Sequence, residues 1–216
     1  MRADEVARFL QDNPRFFEDY AELLAHIYIP HPHGGRAVSI TERQILTLRD
    51  KSRQLEAKLG ELIRYGEEND AIGEKVHRLA SALIAAHDLS AVLREMYSHL
   101  IEDFAVPHVA LRVWGNVLPR DGVEFTPVSE SSRLFVQGLR HPYCGSATGI
   151  EAANWFGDVS PHVRSIAVVP LLRDAENIGA LALGSEDTQR FYAEMGTLYL
   201  NRIGDLISVA LMRELG

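Results

Sequence analysis

Apolar residues in the first half of the chain recur at helical spacing, and further on they alternate with the two-residue period of strands. Val6, Phe9 and Leu10 mark one face of a short helix. Asn13-Pro14 breaks that helix and restarts it, since proline suits a first turn. Phe16, Phe17, Tyr20, Leu23, Leu24 and Ile27 then form a second apolar stripe. Five aromatics in the first thirty residues predict a segment that docks on the long helix after it, on a second subunit or on a partner protein. "YIPHPHGG" reads as a connector. "SITE" opens a helix, with Ser39 and Glu42 spaced for a capping box.

From about Ile40 to Ala86 the pattern is helical almost throughout. Leu48, Leu55, Leu62, Asn69, Val76 and Leu83 recur every seventh residue, with Ile45, Ser52, Leu59, Gly66, Gly73 and Ala80 between them. The first three heptads resemble a coiled-coil seam, and the middle is poor. Gly60, Gly66 and Gly73 each cost ~1 kcal/mol against alanine in a helix. A parallel dimeric stalk is the favoured reading, and a helix hairpin packing on itself is the other.

Next, Asp88 or Ser90 caps a helix whose apolar face is Leu89, Val92, Leu93, Met96, Leu100 and Ile101. "HVALRVW" alternates as a strand, Val109, Leu111 and Val113 on one side, Arg112 and Trp114 on the other. "GVEFTPV" reads as a weaker strand. "ESSRLFVQGL" reads as a helix capped by Ser131 or Ser132, and a turn-rich stretch follows to about Pro161. "RSIAVVPLL" and "IGALALGS" form an antiparallel pair across the turn "RDAEN". One long amphipathic helix is predicted from Asp187 to the end, with Met195, Tyr199, Ile203, Leu206 and Ala210 on one face. The order predicts an α+β domain with an antiparallel sheet and its helices on one side. The expected division is a helical region over residues 1–78 and a sheet domain over 79–216.

Composition changes this picture little. Apolar residues at 46% and charged ones at 24% suit a folded globular chain, and the net charge of -8 argues against broad nucleic-acid binding. One cysteine excludes an intrachain disulfide. With a charged N-terminus and no apolar run near ~20 residues, a cytoplasmic protein without membrane spans is expected.

The second half resembles a GAF domain, a sensor fold related to PAS. The resemblance rests on Val169-Pro170-Leu171 at a strand end, Ile178-Gly179 opening the next strand, and the helix that follows. A wider resemblance covers nearly the whole chain. "FLQDNPRFF", "IPHPHGGRAVSITERQ", "LRDKSRQLEAKL", "HPYCG" and "GSEDTQRFYAEMGTLYL" are similar to a bacterial family catalogued as domain of unknown function 484. That family joins a helical N-terminal region to a GAF-like domain. GAF relatives bind cyclic nucleotides, tetrapyrroles, metabolites or iron, and many only dimerise. The resemblance therefore names no cofactor.

It does imply where a ligand would lie, between the sheet and the irregular middle segment. There the sequence offers His141, Tyr143, Cys144, Trp155, Phe156 and Arg164 as candidate ligand-binding residues, with His162 beside them. Aromatics stack on flat ligands and arginine pairs with acids. The competing reading is that Trp155 and Phe156 plug the pocket as core. Zinc on His31, His33, His141 and Cys144 is disfavoured, because the pairs are far apart and sit in proline-glycine loops. Catalysis by Cys144 with His141 or His162 as base lacks a third group. No phosphate-binding glycine motif is present. The expectation is thus a non-enzymatic regulatory or sensor protein, homodimeric through its N-terminal helices, with a ligand or a protein partner. The alternative is a dimerisation and interaction scaffold on an empty or plugged GAF-like fold.

Overall fold

The computed structural model describes residues 2–29, 38–115, 121–174 and 176–215. The chain divides into two compact units, one ending at Gly66 and one beginning at Glu67.

The first unit opens with three short helices, α1 (Ala3–Asp12), α2 (Phe16–Asp19) and α3 (Ala21–His26). α1 stops at Asn13, ahead of the proline. Its start is held by the Glu5 carboxylate, which accepts from the Arg2 backbone N–H at 2.8 Å. Phe16 is the hub: its ring meets Phe9 edge-on at 6.3 Å, Phe17 at 5.9 Å and stacks on Tyr20 at 4.8 Å. A two-residue antiparallel pair follows, β1 (Tyr28–Ile29) with β2 (Val38–Ser39). His31 and His33 lie outside the described residues, as do the side chains of Ser39 and Glu42.

α4 runs unbroken from Ile40 to Ala85. The hairpin reading is therefore not realised. The three glycines do not break the helix, each costing only ~1 kcal/mol where many hydrogen-bonded turns propagate it.

The second unit contains a four-stranded antiparallel sheet of β3 (His108–Val113), β4 (Tyr143–Ser146), β5 (Ser165–Arg173) and β6 (Glu176–Ser185), in the spatial order β3-β6-β5-β4. On one face Leu111, Ala167, Val169, Leu181 and Leu183 pack against three helices. These are the end of α4 (Leu79, Leu83), α5 (Leu89–Ser98; Val92, Met96) and α7 (Leu198–Leu215; Ile203, Ile207, Leu211). Asp88 caps α5, accepting from the Ala91 N–H at 2.7 Å. A π-turn from His99 to Asp103 then shifts the helical register, which leaves Ile101 46% exposed.

The other face is covered as well, contrary to the expectation of helices on one side. Ala110, Ile166, Val168, Ala180 and Ala182 are apolar there too, and α6 (Glu130–Gln137) with the 3-10 segment Glu151–His162 shields them. Two-sided cover is why β5 and β6 read as nearly continuous apolar runs.

Three further expectations change. "GVEFTPV" is no strand: Val123–Phe125 forms a 3-10 turn. The fourth strand is instead Tyr143–Ser146, inside the stretch expected to be turns, where it pairs with β5. α7 begins at Leu198 instead of Asp187. Before it, the Asp187 N–H donates to the Ser185 hydroxyl and the Asp187 carboxylate accepts from the Gln189 N–H. Such local bonds compete with helix formation.

Both ends of α7 are tied to the unit. The Tyr199 hydroxyl donates to the Asn69 carbonyl at 2.9 Å. Arg213 donates to the Ala86 and Ile84 carbonyls at 2.6 and 3.5 Å, which satisfies the last turn of α4. β3 is an edge strand among the described residues, and its backbone at Leu111 is occupied. Arg112 Nη1 donates to the Leu111 carbonyl at 2.8 Å, and the Leu111 amide hydrogen-bonds the Tyr97 hydroxyl. Tyr97 in turn donates to Glu124 Oε1 at 3.0 Å.

Candidate functional site

The face of the sheet opposite α7 is where the resemblance to GAF domains implies a ligand would lie. β3 sends Ala110, Arg112 and Trp114 to this face by simple alternation. Arg112 is buried, 8% exposed, in a strand whose other residues are apolar apart from His108 at its start. Its guanidinium lies 5.7 Å from the Trp155 ring centroid. Burial holds its pKa below the usual value, yet a guanidinium stays protonated in proteins. Among the described residues no carboxylate reaches ion-pair distance of it, and Tyr97 and Glu124 act on it through longer-range charge. A second arginine repeats the motif, Arg133 of α6 lying 6.0 Å from the Trp114 ring centroid. Desolvated cation–π pairs of this kind reach ~2 kcal/mol.

Phe156 fills the next position. Its ring lies against Gly184 of β6, so close that a Cβ there would stand 2.7 Å from Phe156 Cε2. His108, opposite Gly184 in register, is 6.1 Å from the same ring. Gly157, at φ 65, bends the chain directly after.

Tyr143 is on this face too, meeting Phe135 of α6 edge-on at 5.8 Å and donating to the Ser146 carbonyl at 3.1 Å. Cys144, one residue on, points through the sheet to the α7 side and joins that core. It is 7% exposed, and burial pushes its thiol up to about 11. The thiolate is the nucleophile, so a group held this high is inert near neutral pH. His141, in the loop before β4, and His162, at the end of the 3-10 segment, are exposed. Arg164 is exposed and lines an open groove of about 500 Å³ with Thr148, Asn154 and Pro161. The structure thus brings Tyr143, Trp155 and Phe156 to one face, Cys144 to the other, and leaves His141, His162 and Arg164 at the surface.

Another opening on this face is a cleft of about 150 Å³ between α6 and the 3-10 segment. The N-terminus of α6 there already holds an anion, the carboxylate of Glu151. Ser131 donates to it at 2.7 Å, and hydrogen bonds from Ser129 and then Ser131 keep Glu151 below the usual carboxylate range. The cap of α6 is Ser129, not Ser131 or Ser132; its Oγ accepts from the Ser132 N–H at 3.1 Å. The chain therefore supplies its own aromatic rings and its own carboxylate on this face. Arg112 and Arg133 were not anticipated as contributors. The available signal was a charged residue at an inward position of "HVALRVW". Among the described residues no cluster of three or more His, Cys, Asp and Glu side chains is placed to hold a metal. No helix among them is long and apolar enough to cross a membrane.

The sheet with its flanking helices is GAF-like in fold. The GAF domain of A. aeolicus nlh2, solved in an inactive state, superposes with a TM-score of 0.52 at 16% identity, covering 67% of this chain and 98% of that one. Weaker likenesses are a free methionine-R-sulfoxide reductase from Neisseria meningitidis in complex with its substrate (TM-score 0.46, 18% identity, 66% and 89% coverage) and a GAF domain from Pseudomonas syringae pv. tomato (0.45, 18%, 69% and 91%). The chain belongs to the family described as "Protein of unknown function, DUF484", whose model matches residues 1–213. No curated protein matches its sequence.

Proposed function

We propose that the chain is a non-enzymatic regulatory scaffold, a GAF-like domain joined to a helical region through which two copies pair in parallel. The observation that carries this reading is the seam of α4. Leu48, Leu55 and Leu62, one heptad apart, are 65%, 68% and 66% exposed, and Ile45 and Leu59 beside them are also exposed. A stripe of this kind on a single helix is an unfinished coiled coil. The filled face of the sheet supports a role in association over one in small-molecule sensing there. The buried thiol removes the nucleophile weighed from the sequence. The exposed aromatics Phe9, Phe17 and Tyr20 around Phe16 offer a surface for a protein partner.

Light scattering on the full chain is expected to give a dimer mass, and a monomer mass for the Leu48→Asp, Leu55→Asp double variant. Leu48→Cys and Leu62→Cys are each expected to cross-link with themselves under mild oxidation, because a parallel, in-register pair sets both positions against their own copies, whereas an antiparallel pair does so at one position at most. A monomer at tens of micromolar, or a dimer indifferent to both aspartates, would end this reading. The sensor alternative, with a ligand held by His141, Tyr143, Cys144, Trp155, Phe156 and Arg164, requires Trp155 and Phe156 to leave the sheet. It predicts a large change in tryptophan fluorescence on binding.

A further inference from the structure

The face of the sheet that carries α5 and α7 holds a different opening, of about 400 Å³, entirely within the second unit. Its floor is apolar and belongs to the core: Leu100, Val106, Leu183, Phe191, Leu200 and Ile203. Its lining also includes two cations, Lys75 of α4 and Arg190 of the turn before α7. Both gather at Phe104. Arg190 Nη2 donates to the Phe104 carbonyl at 2.7 Å, and Lys75 Nζ lies 6.0 Å from the Phe104 ring centroid. Ala105, with φ 52, turns the chain immediately afterwards and delivers Val106 to the floor. Among the described residues no carboxylate pairs with Lys75 or Arg190.

Two cations gathered beside Phe104 repel each other, and a bound anion would relieve that repulsion. A guanidinium is well shaped for a carboxylate, taking it through two parallel N–H bonds. The apolar floor supplies the rest of a small-molecule site, and the volume lies in the usual range of roughly 300–1,000 Å³.

We propose that this cavity binds an organic acid, a carboxylate on a compact apolar chain or ring. The carboxylate takes Arg190 and Lys75, and the apolar part covers Leu183, Phe191 and Ile203. The site is independent of the face that Trp155 and Phe156 fill, and of whether two copies pair.

The test is calorimetric titration of the full chain with octanoate below its micelle concentration, with 1-octanol and octylammonium as probes of equal length. Octanoate is expected to saturate at one per chain. Octanol is expected to bind at least about tenfold more weakly, since a charge-assisted bond is lost, and octylammonium not to bind. Lys75→Gln and Arg190→Gln are each expected to weaken octanoate by about three- to tenfold, with melting of the unliganded variants confirming their fold. Lys75→Glu is expected to narrow the preference between octanoate and octylammonium. No saturable octanoate binding, equal affinity for octanol, or unchanged affinity in both glutamine variants overturns the proposal. So does binding that falls in step with self-association of the chain, which would make the cavity a seat for a second copy.

Discussion

One added methyl group at Gly184 tests the filled face directly. A Cβ there would stand 2.7 and 2.8 Å from Cε2 and Cζ of Phe156 and 3.1 Å from Cγ1 of Val163. Carbon atoms in ordinary contact sit ~3.5–4.0 Å apart. The Phe156 ring must therefore retreat by roughly 0.7–1.3 Å, or the strand must move. Overpacking of this size costs ~1–3 kcal/mol. Without the clash, alanine in a strand would be favoured over glycine by ~0.5–1 kcal/mol, so the sign of the effect decides the matter. Gly184→Ala is expected to lower stability by ~0–2.5 kcal/mol, the difference of those two effects. In a Phe156→Ala background the ring is gone, and the same substitution should become neutral or stabilising. The coupling between the two sites is then ~1–3 kcal/mol, typical of residues in contact. Urea unfolding at equilibrium reads this well, because both tryptophans of the chain, Trp114 and Trp155, belong to this face. Stabilisation by Gly184→Ala in the natural chain, or an equal cost with and without the Phe156 ring, would refute the packing argument.

Two further substitutions test the rest of the unit. Cys144 ionises at about 11 when folded, against 9.0 when free of burial. Stability is therefore intact below pH 9 and is lost as pH rises towards 11, by at most ~2.7 kcal/mol. Cys144→Ala should flatten the slope between pH 9 and 10, below the range where Tyr97, also raised by burial, contributes, at ~1 kcal/mol of lost packing, and an unchanged slope in urea midpoints over that window would contradict the assignment. Arg213→Ala should leave the Ala86 and Ile84 carbonyls without their partner, at ~1–2 kcal/mol. Hydrogen exchange in the last turn of α4 should quicken, and Arg213→Lys should restore only part of the protection.

How far the fold can be read from sequence follows from where each element's stability arises. α4 and the strands β3, β5 and β6 are legible because their apolar periods are long and both faces of the sheet are covered. β4 is not: "YCGS" is four residues long and shows only one inward residue per face. Its partner β5 makes it a strand, by pairing Cys144 with Ala167. "GVEFTPV" has the opposite fate, since its alternation finds no strand to join and it closes as a turn beside β3. The long C-terminal helix was predicted eleven residues too early, because the periodicity of Phe191 and Met195 continues that of α7 while Asp187 and Ser185 bond locally. The candidate site shows the same divide. Tyr143, Trp155 and Phe156 share one face of the sheet. The side taken by Cys144 depends on strand register, and the Arg112–Trp155 stack joins residues with no local signal linking them.

The edge of β3 has a consequence for how these molecules meet at high concentration. Sheets grow between chains when an edge offers free amides and carbonyls to another strand. At Leu111 both are taken, by Tyr97 and Arg112, and the opposite edge, β4, is only four residues long. Neither margin provides a good template for cross-chain strand pairing or for fibril growth. Assembly is thereby steered away from the sheet and towards helical surfaces, where side chains select the partner.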